Sequence, residues 1–273
     1  MPRTVYLMAL GIFAMVTSEF LVGGLMPQIA ADLGVSIARV GYLVTAFGLA
    51  MAVGGPIVAT ALIRLAPKSA LLVLFAVFTA GNALAAMAPD YPVMLAARVV
   101  TGAASGAFFG VAITAVVRLV PEGMRGRATG VAMQGLMIGT LLGLPLSTLL
   151  GGLWGWRAAF GAVGVLAVAA ALAVLASMPR LAPAEDTGGL RDEAAVFRRP
   201  RLLAALLGST LIIGATFSAF TYFTPILTEV TGFSEGRSRC CCWSTGRPRW
   251  PATRWSRGSP SRTPGPPSPP AWR

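Results

Sequence analysis

One carboxylate lies within the first apolar stretch of the chain, and its position gives the clearest chemical signal. The stretch VYLMALGIFAMVTSEFLVGGLMP starts at Val5 and contains Glu19. Burying an ionisable group in hydrocarbon costs about 2.5–3.5 kcal/mol even on lenient insertion scales, so such residues usually mark a path for protons, ions or substrates. Of the 10 acidic residues in the sequence, Glu19 alone falls within a predicted span. Glu19 therefore predicts a proton-coupled transporter.

Arg98 is a second charge inside an apolar stretch, LAARVVTGAASGAFFG. A buried arginine needs an acidic or carbonyl partner. At 1.5 Å per residue, Arg98 and Glu19 lie about 9 Å and about 12 Å from the outer ends of their spans, so they could share a layer, directly or through water. Two interpretations stay open. Protonation of Glu19 could release Arg98 or a substrate, or the two could form a static ion pair that locks spans one and four.

The fifth span, GVAMQGLMIGTLLGLPLSTLLGG, is rich in glycine and contains one proline. Proline in a membrane helix allows bending, and glycine lets a neighbouring helix approach closely. The pattern predicts either a pliant helix that acts as a gate or a closely packed static one. The residues that carry this pattern are Gly139, Gly143, Pro145 and Gly151.

Two smaller groups of residues are candidates for a substrate cavity and an inner gate. Gln134 and Thr140 are polar groups on the fifth span, while Phe220 and Tyr222 lie in the aromatic segment FSAFTYFTPIL of the seventh. Aromatic side chains around a cavity would suit a flat lipophilic drug, although they are equally ordinary against lipid or another helix. The basic residues at the predicted inner surface are Arg64, Lys68, Arg125 and Arg127, and topology alone explains them.

Composition places these residues in a membrane protein that is all α-helical. Hydrophobic residues make up 55% of the chain and charged residues 12%. Spanning about 30 Å of hydrocarbon takes roughly 20 apolar residues in a helix. Seven stretches qualify, and they begin near Val5, Val40, Ala70, Val93, Ala128, Ala158 and Leu202.

The distribution of basic residues predicts a cytoplasmic N-terminus, because cytoplasmic loops carry an excess of Lys and Arg. With that orientation, 11 basic residues lie on the inside and two, Arg39 and Arg157, on the outside. The net charge of +12 does not indicate nucleic-acid binding, since eight of the 22 basic residues follow Gly236, where there are no acids. The sequence lacks His and its three Cys are consecutive, so no metal site, cofactor or soluble-enzyme chemistry is predicted.

From Arg237 onward the sequence changes to RSRCCCWSTGRPRWPATRWSRGSPSRTPGPPSPPAWR. If codons end in G or C, a shift of one base turns residues 239–260 into an apolar stretch of the length of a span. We therefore interpret this tail as the product of a frame slip. The predicted regions are a six-span N-terminal bundle (1–177), a cytoplasmic inter-bundle loop (178–201), a seventh span with its outer loop (202–236), and a frameshifted, disordered tail (237–273).

Several motifs resemble the twelve-span drug:proton antiporters of the major facilitator superfamily. RVVTGAASG resembles the fourth-span motif, GLPLSTLLGG the fifth-span antiporter motif with Leu144 inserted, and GWRAAF the entry to span six. TSEFLVGGLMPQIAADLGVS and GATFSAFTYFTPILTEVTGFSE are similar to chloramphenicol-resistance and arabinose-type exporters. The loop GPIVATALIRLAPKSAL lacks the Asp that is usual in the family, which puts a charge relay through this loop in doubt.

The resemblance implies a major facilitator-type six-helix bundle followed by the first helix of a second bundle. It implies a monomeric, multi-pass protein of the bacterial inner membrane that exports a small amphiphilic, chloramphenicol-like drug in exchange for protons. Two alternatives remain open. The chain could belong to an exporter of a sugar or other metabolite, or it could be an inactive fragment, because substrate sites in such transporters lie between two bundles.

Overall fold

The computed structural model describes residues 2–179, 181–182, 200, 203–205, 207–213 and 215. The chain divides into two units, Met1–Ala195 and Val196–Arg273, and the site discussed below belongs to the first. In the second unit, a short apolar helix, Leu203–Ile213, lies where the seventh span is predicted. Phe220, Tyr222, the tail that we interpret as frameshifted and most of the predicted inter-bundle loop lie outside the described residues.

The described residues of the first unit form helices and contain no strand. The helices are α1 (Arg3–Asp32), α2 (Ile37–Leu49), α3 (Gly55–Ala61), α4 (Pro67–Ala86), α5 (Tyr91–Arg118) and α6 (Arg125–Ser177). Helix α2 continues through a π-helical turn, Ala50–Gly54, into α3, so that residues 37–61 form one span. A short 3₁₀ turn, Glu122–Met124, precedes α6.

Helix α6 contains two membrane crossings. Its 53 residues would reach about 80 Å as one helix, more than twice the thickness of the hydrocarbon core. Gly155 interrupts the helix with φ 81° and ψ 164°, a conformation open essentially to glycine. The parts before and after Gly155, residues 125–154 and 156–177, are each long enough to cross. The described chain thus contains six crossings, which confirms the predicted N-terminal bundle.

Local sequence signals explain where several helices begin. Ser36 precedes α2, and its side chain accepts a hydrogen bond from the backbone N–H of Arg39 at 3.3 Å. Asp90 does the same before α5, accepting from the N–H of Val93 at 3.1 Å. These are N-caps, which satisfy backbone donors that the first helical turn leaves free. Gly34, with φ 62°, forms the turn that separates α1 from α2.

Small residues set the closest helix contacts in the bundle. On α5, Gly102 and Gly106 lie directly against the backbone of the α2–α3 span, at Phe47 and Met51. A Cβ on Gly102 would be 2.5 Å from the carbonyl oxygen of Phe47. Packing through small residues is the usual means of bringing membrane helices together. The packing anchors α5, the helix that carries Arg98.

Candidate functional site

Arg98 is fully buried in the bundle, with 1% of its surface exposed, and its guanidinium is held mainly by backbone carbonyls of α1. Nη1 donates to the carbonyl oxygen of Ser18 at 3.0 Å, and Nη2 makes a longer contact of 3.5 Å with that of Glu19. The guanidinium also stacks on the ring of Phe47 from α2, 4.1 Å from its centroid. Carbonyl dipoles and an aromatic face both stabilise a buried cation.

Glu19 lies at the same level of the bundle as Arg98 but is only half-buried. The two ion pairs among the described residues are Arg125–Glu122 and Arg157–Asp32, so the carboxylate of Glu19 and the guanidinium of Arg98 are not in direct contact there. Arg98 instead contacts the main chain of Glu19. The structure brings the two charges to one layer without a direct ion pair between them.

Two polar residues that sequence reasoning missed complete this layer. The hydroxyl of Ser18 donates to Oδ1 of Asn82 on α4 at 3.1 Å, and both residues are fully buried. Asn82 Nδ2 donates in turn to the carbonyl oxygen of Phe78 at 2.9 Å. Helices α1, α4 and α5 are therefore linked by hydrogen bonds at the level of Glu19. The available signal was a single Asn within the apolar sequence FAVFTAGNALAAM.

The predicted antiporter-motif glycines lie on the face of α6 that packs against α1. A Cβ on Gly139 would be 2.8 Å from Cβ of Val16, and one on Gly143 would be 3.2 Å from Cβ of Phe20. Gly151 contacts Leu25 in the same way. Pro145 is half-buried inside the helix. The glycine face therefore packs closely on the helix that carries Glu19.

The two polar candidates on α6 lie on the exposed surface of the helix and not beside Arg98. Gln134 and Thr140 are exposed in the described unit, and the hydroxyl of Thr140 donates to the carbonyl oxygen of Leu136 in its own helix at 2.9 Å. A membrane helix commonly satisfies a hydroxyl in this way. These two residues are therefore not part of the Arg98 layer.

The inner-gate candidates lie at the end of the bundle that holds the start of α1, here called the N-terminal face. Arg64 and Arg127 are exposed, and Arg125 pairs with Glu122 at 3.0 Å. Lys68 Nζ donates to the carbonyl oxygen of Met178 at 2.8 Å, which ties α4 to the end of α6. The four side chains therefore do not converge on one site.

A second polar cluster lies at the opposite face, where α1 ends and α6 is interrupted. Arg157 pairs with Asp32, whose carboxylate also accepts from Nε1 of Trp156 at 3.0 Å. Arg157 Nη2 donates to the carbonyl oxygen of Ala88 at 3.1 Å, after the end of α4. The cluster borders an open cavity of about 520 Å³. It fastens the turn at Gly155 to α1 and α4.

Comparison with known proteins shows to which family the chain belongs. A family model described as Major Facilitator Superfamily matches residues 8–243. The chain belongs to the major facilitator superfamily. It is 43% identical over 239 residues to a chloramphenicol resistance protein from Streptomyces lividans, covering 86% of this chain and 61% of that protein. It is 37% identical over 224 residues to the inner membrane transport protein YdhP of Escherichia coli K12, covering 82% and 57%.

Solved structures of the superfamily share the fold. A bacterial homologue of the human lysosomal transporter Spinster, in an inward-facing and unoccupied conformation, matches with a TM-score of 0.69 at 16% identity, covering 85% of this chain and 56% of that one. The xylose transporter XylE of Escherichia coli, partially occluded and inward open, matches with a TM-score of 0.57 at 14% identity, covering 65% and 48%. The chain is thus a multi-pass bacterial inner-membrane protein that spans about 60% of the curated relatives it matches.

Proposed function

We propose that this chain belongs to an exporter of a small amphiphilic drug of the chloramphenicol type, driven by exchange for protons. The observation that carries the proposal is the half-buried Glu19 beside the fully buried, carbonyl-held Arg98. The 43% identity to a chloramphenicol resistance protein supports the substrate class. In this proposal the N-terminal bundle supplies the layer against which the substrate binds.

Proton coupling follows from the unequal environments of the two charges. Arg98 keeps its charge because two carbonyls and the face of Phe47 stabilise it. Glu19 makes no ion pair among the described residues, and Arg98 is its charged neighbour without direct contact. The charge of Glu19 can therefore change when it binds or releases a proton. Proton binding at Glu19 and drug binding to the same layer would then compete. Competition for one carboxylate is sufficient to couple the two movements.

The test replaces Glu19 by Gln, which keeps the shape of the side chain but cannot release a proton. In inverted membrane vesicles carrying a pH-sensitive dye, chloramphenicol should release protons through the unmodified chain. The Glu19→Gln variant should lose at least 90% of this signal while inserting in equal amount. Glu122→Gln is the matched control, because Glu122 lies exposed at the N-terminal face, paired with Arg125.

The alternatives give different results in the same assay. If protons were released from the vesicles when a sugar is added but not when chloramphenicol is added, a sugar or metabolite exporter would be favoured. No release by any compound, with the full-length Streptomyces lividans relative active in parallel, would favour an inactive fragment. Chloramphenicol-driven release that persists in the Glu19→Gln variant would reject Glu19 as the coupling group.

A further inference from the structure

The orientation of the Asn82 amide is fixed by its own helix. Asn82 is fully buried on α4, and Nδ2 donates to the carbonyl oxygen of Phe78 at 2.9 Å. A carbonyl can only accept, so the amide nitrogen must point towards Phe78 and Oδ1 towards α1. Asn82 therefore presents an acceptor, and not a donor, to Ser18.

This acceptor fixes the direction of the next hydrogen bond. Ser18 has one hydroxyl proton, and it is donated to Oδ1 of Asn82 at 3.1 Å. The hydroxyl oxygen then faces Arg98 as an acceptor, 3.5 Å from Nη1, beside the 3.0 Å bond from Nη1 to the Ser18 carbonyl oxygen. The chain of bonds runs in one direction, from Arg98 through Ser18 and Asn82 to Phe78. Consecutive bonds of this kind polarise and strengthen one another.

The hydrogen bonds of Arg98 to α1 involve only one end of its guanidinium, so its position depends on the contacts with Ser18 and Glu19. Nη1 and Nη2 contact α1, whereas Nε has no hydrogen-bond partner among the described residues. Within that part of the chain, Glu19 and Arg98 are each other's charged neighbours, while α4 contributes the uncharged Asn82 and α2 the ring of Phe47. If the contacts of Arg98 with Ser18 were weakened, the guanidinium could turn towards the nearest carboxylate, that of Glu19.

We infer that Asn82 is a positioning residue that, through Ser18, holds Arg98 on the backbone of α1 and away from the carboxylate of Glu19. Glu19 stays free to exchange its proton because Arg98 is not its direct partner. The inference rests on the proposed function, since it assigns to Asn82 the tuning of proton exchange at Glu19.

Two substitutions of Asn82 should act in opposite directions. Asn82→Ala removes the acceptor, so Ser18 loses its fixed orientation and Arg98 can pair with Glu19. That ion pair favours the charged carboxylate, and the midpoint of Glu19 titration should fall by about one pH unit, tenfold in proton affinity. Asn82→Asp places a second carboxylate against Ser18, next to Glu19 in the chain, and repulsion between the two carboxylates should raise the midpoint. A purely structural role for Asn82 would not give shifts of opposite sign.

The measurement is an infrared titration of the purified 273-residue chain in lipid vesicles. The carboxylic-acid C=O band of Glu19 is isolated by subtracting the spectrum of the Glu19→Gln variant in each background. Ser18→Ala, which removes the hydroxyl in the middle of the chain of bonds, should lower the midpoint as Asn82→Ala does. Ser105→Ala is the matched control, because Ser105 is likewise buried, on α5, and its hydroxyl donates to the Thr101 carbonyl of its own helix at 2.8 Å, with a longer contact of 3.5 Å to Sδ of Met15. This control should leave the midpoint unchanged.

Equal midpoints in the unmodified chain and in all three network variants would overturn the inference, as would shifts of the same sign for Asn82→Ala and Asn82→Asp. If Asn82→Ala fails to insert, Ser18→Ala and Asn82→Asp still decide the matter. The titration needs neither a drug nor a gradient. If the unmodified chain showed no chloramphenicol-driven proton release, the proposed function would be rejected, but the infrared titration could still test the role of Asn82.

Discussion

Arg98 illustrates how a membrane bundle can hold a charge without a direct counterion. Its guanidinium contacts two carbonyl oxygens of α1 and the ring of Phe47, and its relative exposure is 1%. Carbonyl oxygens and an aromatic face partly replace water around a cation. In this arrangement the guanidinium of Arg98 and the carboxylate of Glu19 share a layer without forming a direct ion pair.

Single residues also decide where the chain can turn, and Gly155 is the clearest case. Its φ of 81° and ψ of 164° would strain any side chain. We expect Gly155→Ala to reduce the free energy of unfolding by about 1–3 kcal/mol, measured by denaturant titration in detergent micelles. Gly152→Ala is the control, since Gly152 is helical with open space around it and should be unchanged or stabilised by up to about 1 kcal/mol. Equal losses in both variants would contradict the strain argument.

The charged members of the candidate site were predicted from the sequence, whereas its neutral members were not. Glu19 and Arg98 are conspicuous because charges are rare in apolar spans. Ser18 and Asn82 carry no charge, and a membrane helix can satisfy such side chains from its own backbone. Their pairing depends on the relative rotation of α1 and α4, which hydropathy does not specify. The separation of the Glu19 carboxylate from Arg98 could not be predicted for the same reason.

At the scale of elements, the predicted span starts agree with the helices to within a few residues. The stretch predicted from Ala70 begins at Pro67, and that from Val93 begins at Tyr91. Hydropathy works well here because an unpaired backbone cannot lie in lipid, so apolar runs of this length must be helical. The π-helical turn Ala50–Gly54 was not predicted. It lies where the α2–α3 span meets small residues of α5, and the sequence of one helix does not reveal the partner that it will contact.

The glycine face of α6 sets the distance between α6 and the helix that carries Glu19. A Cβ on Gly135 would overlap the backbone of Ala9 on α1. We expect Gly135→Ala to force the two helices apart, at a cost of about 1–3 kcal/mol, and to increase amide hydrogen exchange in α1 as measured by mass spectrometry. Gly130→Ala is the matched control, because Gly130 has open space around it in the same helix. Unchanged exchange in the Gly135→Ala variant would show that the helices adjust without separating.

At the scale of the whole molecule, the described basic residues are distributed unequally between the two faces of the bundle. Arg39 and Arg157 lie at the face opposite the N-terminus. Two basic side chains at the N-terminal face also hold the segment that follows α6. Lys68 donates to the carbonyl oxygen of Met178, and Arg118 to that of Ala182. The described basic residues of the N-terminal face are Arg3, Arg64, Lys68, Arg118, Arg125 and Arg127.

This imbalance predicts a cytoplasmic N-terminus, because positively charged loops are retained on the inner side of the membrane. The test uses chains in which Cys240, Cys241 and Cys242 are replaced by serine and one new cysteine is added. Ile37→Cys lies beside the α1–α2 turn at the opposite face, and Gly123→Cys lies in the turn before α6 at the N-terminal face; both positions are exposed. A membrane-impermeant maleimide should label the Ile37→Cys variant in intact cells, and the Gly123→Cys variant only after permeabilisation. The reverse pattern would place the basic face outside and contradict the predicted orientation.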